Sequence, residues 1–168
     1  QDGRFVSPME FITLAEEVGL IRDLGVQMLG HAVLALQGWQ QVPELAGASI
    51  AVNISPLHVV DGLLDDVVRV LADTGVRPEA LTLEITEQQA LSDEDGTKDV
   101  LEAVRALGVW IAIDDFGSGF SSIRWLTSLP VQVVKLDRSL LEAMPSAQHS
   151  GGADRVEVLR SVNRLTEA

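Results

Sequence analysis

The sequence contains no cysteine and only three histidines. The lack of cysteine excludes disulfide bonds and thiolate metal sites, and it leaves the redox compartment of the protein open. Because the three histidines follow no clustered pattern, a histidine-rich zinc site is also disfavoured. A metal site in this chain would therefore depend on oxygen ligands.

Basic residues are scarce as well. The 12 lysines and arginines stand against 25 aspartates and glutamates, which gives a formal net charge of −13 and a pI of about 4.4. Non-specific binding to DNA or RNA requires clusters of lysine and arginine, and the sequence has none, so we expect no nucleic-acid polymer as a partner. An acidic protein can still act on a phosphate ester if bound cations reverse the sign of the local field.

Long hydrophobic runs are missing too. No apolar run approaches the about 18 residues that a membrane-spanning helix requires, and no secretory signal pattern opens the chain. We therefore expect a cytoplasmic protein, or a cytoplasmic domain of a membrane-anchored protein, without direct membrane insertion of this domain. Hydrophobic residues make up 46% of the 168 residues, which predicts one globular domain over residues 1–168.

Strand patterns alternate with helix patterns along this domain. Strands are predicted at residues 48–54, 81–86, 110–114 and 133–136. Helices are predicted at residues 8–19, 22–40, 56–73, from 92–94 to about 107, at 122–129 and at 154–167. This alternation is typical of parallel sheets with helical crossovers, so we predict an α/β fold.

The stretch from Ile111 to Ser122 is the most informative part of the sequence. It begins as a buried strand and ends in the adjacent carboxylates Asp114 and Asp115, which a glycine-containing loop follows. Neighbouring carboxylates repel each other unless a cation lies between them. The pair therefore indicates ligands for hard, oxygen-preferring ions such as Mg²⁺ or Mn²⁺. The alternative is an ordinary solvated turn at the end of a strand.

Each predicted strand carries a polar side chain near its carboxyl end. Because parallel strands point the same way, these side chains should gather on one rim of the sheet. A lone carboxylate inside a buried strand is costly without a partner, so the convergence predicts a shared metal site. The alternatives are a hydrogen-bonded core amide for Asn53 and a salt bridge between Glu84 and Lys135. The side chains are Asn53, Glu84, Asp114 with Asp115, and Lys135.

Two further residues follow these strands. Glu87 lies just past the strand of Glu84 and is predicted to hold the loop after the two aspartates, with an exposed helix-leading glutamate as the alternative. His58 follows Asn53 and is predicted to be a surface residue, with a position near the site as the alternative.

Taken together, these residues resemble the EAL domain of bacterial cyclic di-guanosine monophosphate (cyclic di-GMP) phosphodiesterases. The family's motifs occur here in order and at the family's spacing across nearly the whole chain. The matching segments are Ser7–Ile12, Ala15–Ile21, Val52–Pro56, Leu83–Glu87, Asp114–Ser122 and Lys135–Ser139.

The resemblance implies a TIM-like (β/α) barrel with one strand reversed, and metal-dependent hydrolysis of cyclic di-GMP to linear pGpG. By resemblance, Asn53, Glu84 and Asp114 are ligands of one of two divalent ions, Mg²⁺ or Mn²⁺. Asp115 serves the second ion or its waters, and Lys135 orients the attacking water.

The resemblance also assigns Glu87 to the support of a regulatory loop near a dimer interface. That loop comprises Phe116, Gly117, Ser118, Gly119, Phe120, Ser121 and Ser122. Partners implied in the same way are cyclic di-GMP, a second copy of the chain in a homodimer, and additional regulatory domains in the full-length protein.

The chain departs from the family in places. Ser118 and Phe120 stand where threonine and tyrosine are usual, and Leu57-His58 stands where the family has Arg-Gln at a contact on the substrate side. The family's Glu-Ala-Leu motif and a late strand with another glutamate lie outside the sequence. We therefore expect a central portion of the barrel that lacks the first and last strands and is inactive alone. The alternative function is an inactive EAL-like domain that senses cyclic di-GMP or binds a protein.

Overall fold

A computed structural model of the chain describes residues 6–87, 96–117 and 129–138. They form four strands and five α-helices, together with short 3-10 turns at Pro43–Leu45 and Pro78–Ala80. The elements in chain order are α1 (Pro8–Glu17), α2 (Ile21–Gln40), β1 (Ile50–Asn53), α3 (Pro56–Val60), α4 (Leu63–Thr74), β2 (Leu81–Thr86), α5 (Thr97–Ala106), β3 (Trp110–Phe116) and β4 (Val133–Leu136).

The four strands form one sheet in the order β1-β2-β3-β4, and every neighbouring pair is parallel. The α/β architecture predicted from the sequence is therefore confirmed. Strands β2 and β4 have the predicted bounds, whereas β3 continues two residues further than predicted, through Phe116. The predicted helices at 122–129 and 154–167 lie outside the described residues, except for Leu129.

One face of the sheet is apolar and builds the core. In the strand register Val52 aligns with Leu83, and Leu83 aligns with Ile111. These side chains are buried in one hydrophobic cluster with residues of α2, α4 and α5. Because side chains alternate between the two faces of a strand, this row fixes which residues lie on the other face.

The other face carries most of the polar side chains of the strands. Asn53 aligns with Glu84, which aligns with Ala112, and Ala112 aligns with Val133. Residues two positions further along the strands share this face. We call it the polar face, and its polar residues are Asn53, Thr82, Glu84, Thr86, Asp114 and Lys135.

The segment after β1 differs from the single helix that was predicted for residues 56–73. It forms two helices, α3 and α4, which are separated at Asp61 and Gly62. Gly62 has a φ of 111°, a backbone conformation that interrupts a right-handed helix and that glycine adopts readily. The apolar spacing continues across the break, which is why the sequence pattern suggested one helix.

Helix α1 begins at Pro8 after Ser7, as the sequence predicted. Its apolar side chains, however, stay largely exposed: Phe11 is 41% exposed and Leu14 is 57% exposed. No described helix is both long and apolar enough to cross a membrane.

We expect Gly25→Ala in α2 to lower the free energy of unfolding by about 1–3 kcal/mol, because it overpacks the interior. An added Cβ would press on Nδ1 of His58 and lie 3.1 Å from its Cε1. His58 is fully buried and bonded to Asp66, so its ring cannot move aside freely.

Gly30→Ala in the same helix is the matched control, because nothing lies within 4 Å of the position that an added Cβ would take. There alanine should raise stability by about 0.5–1 kcal/mol through its better helix propensity. Urea denaturation of both variants would measure the difference. Equal stabilities would show that the contact between Gly25 and His58 is not tight.

Candidate active site

The carboxyl ends of the strands bring four of the predicted site residues onto one face. Asn53 and Glu84 lie side by side in the register of β1 and β2. Asp114 lies two residues beyond Ala112 on β3, and Lys135 lies two residues beyond Val133 on β4. A strand rises about 3.3 Å per residue, so the four positions occupy two adjacent rows of the polar face.

Lys135 joins the two carboxylates of this face. Its ammonium forms an ion pair with Oε1 of Glu84 and lies 3.5 Å from Oδ2 of Asp114. Glu84 is only 5% exposed, whereas Lys135 is 44% exposed, so the lysine reaches from the solvent side towards a buried carboxylate. The hydrogen bond to Glu84 raises the pKa of Lys135, despite the opposing effect of partial burial. Lys135 is therefore a protonated donor at neutral pH.

The donor atoms on this face fit a hard divalent cation. Carboxylate oxygens of Glu84 and Asp114 and the amide oxygen of Asn53 are the ligands that Mg²⁺ and Mn²⁺ prefer. Within residues 6–87, 96–117 and 129–138, however, no three His, Cys, Asp or Glu side chains form a group that could hold a metal ion. The described carboxylates Glu84 and Asp114 thus form a pair bridged by a lysine, and Asn53 lies next to Glu84 in the strand register.

The end of β3 is irregular where the two aspartates meet. The register with β4 shifts between Ile113 and Phe116, and Asp115 has a φ of 55°. This left-handed conformation is uncommon outside glycine, although aspartate tolerates it better than most residues. In a regular strand Asp115 would face the helices, but here its side chain is exposed. Its backbone N–H donates to Oδ1 of Asp114 at 3.0 Å, which orients that carboxylate.

Glu87 contacts the backbone directly after β3. Its side chain is 1% exposed, and its Oε2 accepts a hydrogen bond of 2.5 Å from the backbone N–H of Gly117. The other oxygen, Oε1, is buried and has no hydrogen-bond partner among the described residues. The alternative of an exposed glutamate is therefore wrong. Phe116 is buried in the core, and Gly117 has a φ of 96°; the rest of the predicted loop, residues 118–122, lies outside the described residues.

We expect Glu87→Ala to loosen the backbone at Gly117 and to weaken Mn²⁺ binding about 10–100-fold, the usual effect of losing a residue that orients a metal ligand. Faster hydrogen exchange at the Gly117 amide would report the local change. Glu87→Gln keeps an oxygen acceptor and is the conservative comparison. Unchanged exchange and unchanged Mn²⁺ affinity in the alanine variant would remove Glu87 from the site.

The prediction that His58 lies on the surface is wrong. The ring is fully buried between helices, and its Nε2 lies 3.1 Å from Oδ2 of Asp66. Arg22 and Arg69 also contact the Asp66 carboxylate, at 3.4 and 2.6 Å. The spacing of eight residues between His58 and Asp66 spans the break between α3 and α4. In one continuous helix, residues eight positions apart would be too far apart along the axis for this contact, so the predicted helix did not place His58 beside Asp66.

A contact between α1 and the loop after β1 was not predicted either. The hydroxyl of Ser55 donates a hydrogen bond of 3.2 Å to Oε1 of Glu16. These residues are 39 positions apart, and no local pattern couples them. A glutamate on an otherwise exposed helix and a serine before a proline both have ordinary structural explanations.

The chain matches a family of known proteins over nearly its whole length. The EAL domain family matches this chain over residues 1–163. The chain is similar to the bifunctional diguanylate cyclase/cyclic di-GMP phosphodiesterase MucR of Pseudomonas aeruginosa, with 36% identity over 95% of this chain and 23% of MucR. A cyclic di-GMP phosphodiesterase of the same organism is 37% identical over 86% of this chain and 25% of its own length. The chain thus spans about a quarter of these two relatives.

Solved structures give the same result. The MucR phosphodiesterase in complex with cyclic di-GMP has a TM-score of 0.78 and 34% identity, and the match covers 96% of this chain and 68% of that one. The EAL domain of FimX from Xanthomonas citri, also in complex with cyclic di-GMP, has a TM-score of 0.82 over 99% of this chain and 65% of its own. Its identity of 24% shows likeness of fold alone. The predicted TIM-like fold is confirmed, and the four described strands form a portion of such a barrel.

Proposed function

The chain belongs to the EAL domain family, and on that premise we propose that the complete protein hydrolyses cyclic di-GMP to linear pGpG in bacterial second-messenger signalling. The observation that carries this proposal is the bridge from Lys135 to Glu84 and Asp114 on the polar face. A protonated donor beside two carboxylates lies here at the carboxyl ends of parallel strands, where the active sites of such barrels are found, and bound cations would offset the repulsion between the carboxylates and a phosphodiester. The similarity to named cyclic di-GMP phosphodiesterases supports the choice of substrate.

The reaction is a hydrolysis and needs no oxidant or reductant. The oxygen of a water bonds to one phosphorus of the cyclic dinucleotide, and the bond between that phosphorus and a ribose oxygen breaks. One proton of the water ends on the leaving ribose oxygen. The ring is thereby opened to a linear dinucleotide that carries a terminal phosphate.

We assign the roles of the residues as follows. Lys135 donates from Nζ and orients the attacking water, while Asn53, Glu84 and Asp114 would hold a divalent cation through their oxygens. Asp115 would serve a second cation or its waters. Bound Mg²⁺ or Mn²⁺ would lower the pKa of water and stabilise the charge that develops on the phosphate and leaving oxygens.

A second candidate function is binding of cyclic di-GMP without cleavage. One observation favours it: within the described ranges, no three His, Cys, Asp or Glu side chains form a group that could hold a metal ion. In a sensor of this kind the dinucleotide would change the protein's contacts with other domains or with a partner protein.

Chromatography of cyclic di-GMP after incubation with the complete protein decides between the two functions. We expect conversion to the linear dinucleotide with Mg²⁺ or Mn²⁺, and little conversion with Ca²⁺, which is larger and less strict in geometry. Binding of the dinucleotide without cleavage under both Mg²⁺ and Mn²⁺ would establish the sensor and reject the enzyme.

The proposal also covers the neighbouring domains and the oligomeric state. Because the chain spans about a quarter of MucR, we propose that the full-length protein carries further domains that regulate this site. We also propose that the EAL domain forms a homodimer. Light scattering of the complete protein would test the dimer.

A further inference from the structure

The hydroxyl of Ser55 has an unusual role for its position. Ser55 precedes α3 as its N-cap, where a serine side chain normally accepts a hydrogen bond from the first turn of the helix. Here the side chain makes no capping bond; the backbone carbonyl of Ser55 accepts from the N–H groups of His58 and Val59 instead. The hydroxyl donates to Oε1 of Glu16, on α1.

Glu16 is one of the two half-buried residues near the carboxyl end of α1. Apart from Met9, all side chains of α1 are described: Ala15 and Glu16 are half-buried, and the others are exposed. A charged residue that stays exposed needs no partner, but Glu16 faces inward and accepts from a hydroxyl on the loop after β1. A hydrogen bond to an ionised acceptor is stronger than one between neutral groups.

Three contacts fix the segment that follows Asn53. The backbone N–H of Ile54 donates to the carbonyl of Glu84 at 2.9 Å. Ser55 is bonded to Glu16, and His58 is held at 3.1 Å from Asp66. The contact at Ile54 ties the segment to β2, whereas the other two tie it to α1 and α4. Of these three contacts, only the bond to Glu16 comes from α1, a helix in which no described side chain is fully buried.

We propose that Glu16 is a positioning residue of the active site: through Ser55 it fixes the loop after β1 and so aims Asn53 at the cation. Glu16 touches neither the carboxylates of the polar face nor the reacting atoms in this role. The inference rests on the proposed function, because it concerns the same cation site. It adds a dependence of that site on the placement of α1, which the family resemblance did not indicate.

The experiment uses the complete protein in four forms: wild type, Glu16→Ala, Ser55→Ala and the double variant. Hydrogen–deuterium exchange of residues 54–59 reports on the loop whether or not the protein is an enzyme. Mn²⁺ titration and the kinetic constants kcat and KM, measured at saturating and limiting Mn²⁺, report on the site. Glu17→Ala removes an exposed carboxylate from the same helix and is the matched control.

We expect both single variants to speed exchange in residues 54–59 and to weaken Mn²⁺ binding about tenfold, at the lower end of the effect of residues behind metal ligands. The double variant should be no worse than either single one, because both remove the same bond. Saturating Mn²⁺ should restore kcat, and Glu16→Gln, which keeps the acceptor oxygen, should restore most of the affinity. Glu17→Ala should match the wild type.

Unchanged exchange in Glu16→Ala would overturn the proposal, since the bond would then not hold the loop. Faster exchange with unchanged Mn²⁺ affinity would also overturn it, because the bond would serve the fold alone. If the wild type itself bound no Mn²⁺, the proposed function would fail together with the positioning role, and the exchange data would still report separately on the tether.

Discussion

Replacement of Asp114 by asparagine is expected to lower the hydrolysis of cyclic di-GMP by at least about a thousandfold. The substitution removes a negative charge that a divalent cation requires, and the cation contributes several kcal/mol to stabilising the transition state. A loss of about 4 kcal/mol corresponds to about a thousandfold in rate. The fold should survive because Asp114 is 28% exposed at the end of β3. Asparagine also keeps an oxygen that can accept from the N–H of Asp115.

Turnover under saturating Mg²⁺ or Mn²⁺, Mn²⁺ titration and thermal unfolding measure this prediction together. Asp65→Asn is the matched control, because Asp65 is exposed on α4 and the same charge is removed away from the polar face. The control should retain full activity. An Asp114→Asn protein that binds Mn²⁺ and turns over like the control would show that this carboxylate is not a ligand.

The convergence of the site could be predicted from the sequence because the pairing of β1, β2 and β3 is regular as far as Asp114. Strand periodicity and parallel direction suffice to place Asn53, Glu84 and Asp114 near the same ends of neighbouring strands. The register adds that all three share the polar face. The ion pair of Glu84 with Lys135 was predicted only as an alternative to a metal site. The ion pair and the metal site would both use the carboxylate of Glu84. The assigned roles themselves stay predictions.

The features that could not be predicted depend on contacts between distant elements. His58 looked like a surface residue because its burial results from the approach of α2 at Gly25 and from the carboxylate of Asp66 on α4. The break at Gly62 was hidden because apolar residues keep helical spacing across it. The left-handed backbone of Asp115 could not be predicted either, because neither neighbour in the sequence requires it.

Removal of the Lys135 ammonium is expected to separate catalysis from cation binding. In Lys135→Met the side chain keeps most of its length but loses its donor, so kcat should fall about 10²–10⁴-fold, the range for a group that positions or transfers a proton. The affinity for Mn²⁺ should be equal to or higher than that of the wild type. The reason is electrostatic: the ammonium contacts Glu84 and Asp114, and a cation at the same carboxylates is repelled by it.

The same substitution should also make the stability of the protein depend on the metal. Without Lys135, the buried carboxylate of Glu84 loses its cationic partner, which is unfavourable. The midpoint of thermal unfolding should therefore fall without metal and recover when Mn²⁺ is added. Lys98→Met is the control, because Lys98 forms an exposed pair with Glu102 at 3.6 Å, and such pairs contribute about 0.3–0.5 kcal/mol. If Lys135→Met instead weakened Mn²⁺ binding and kept the wild-type kcat at saturating Mn²⁺, Lys135 would be part of the scaffold and another group would orient the water.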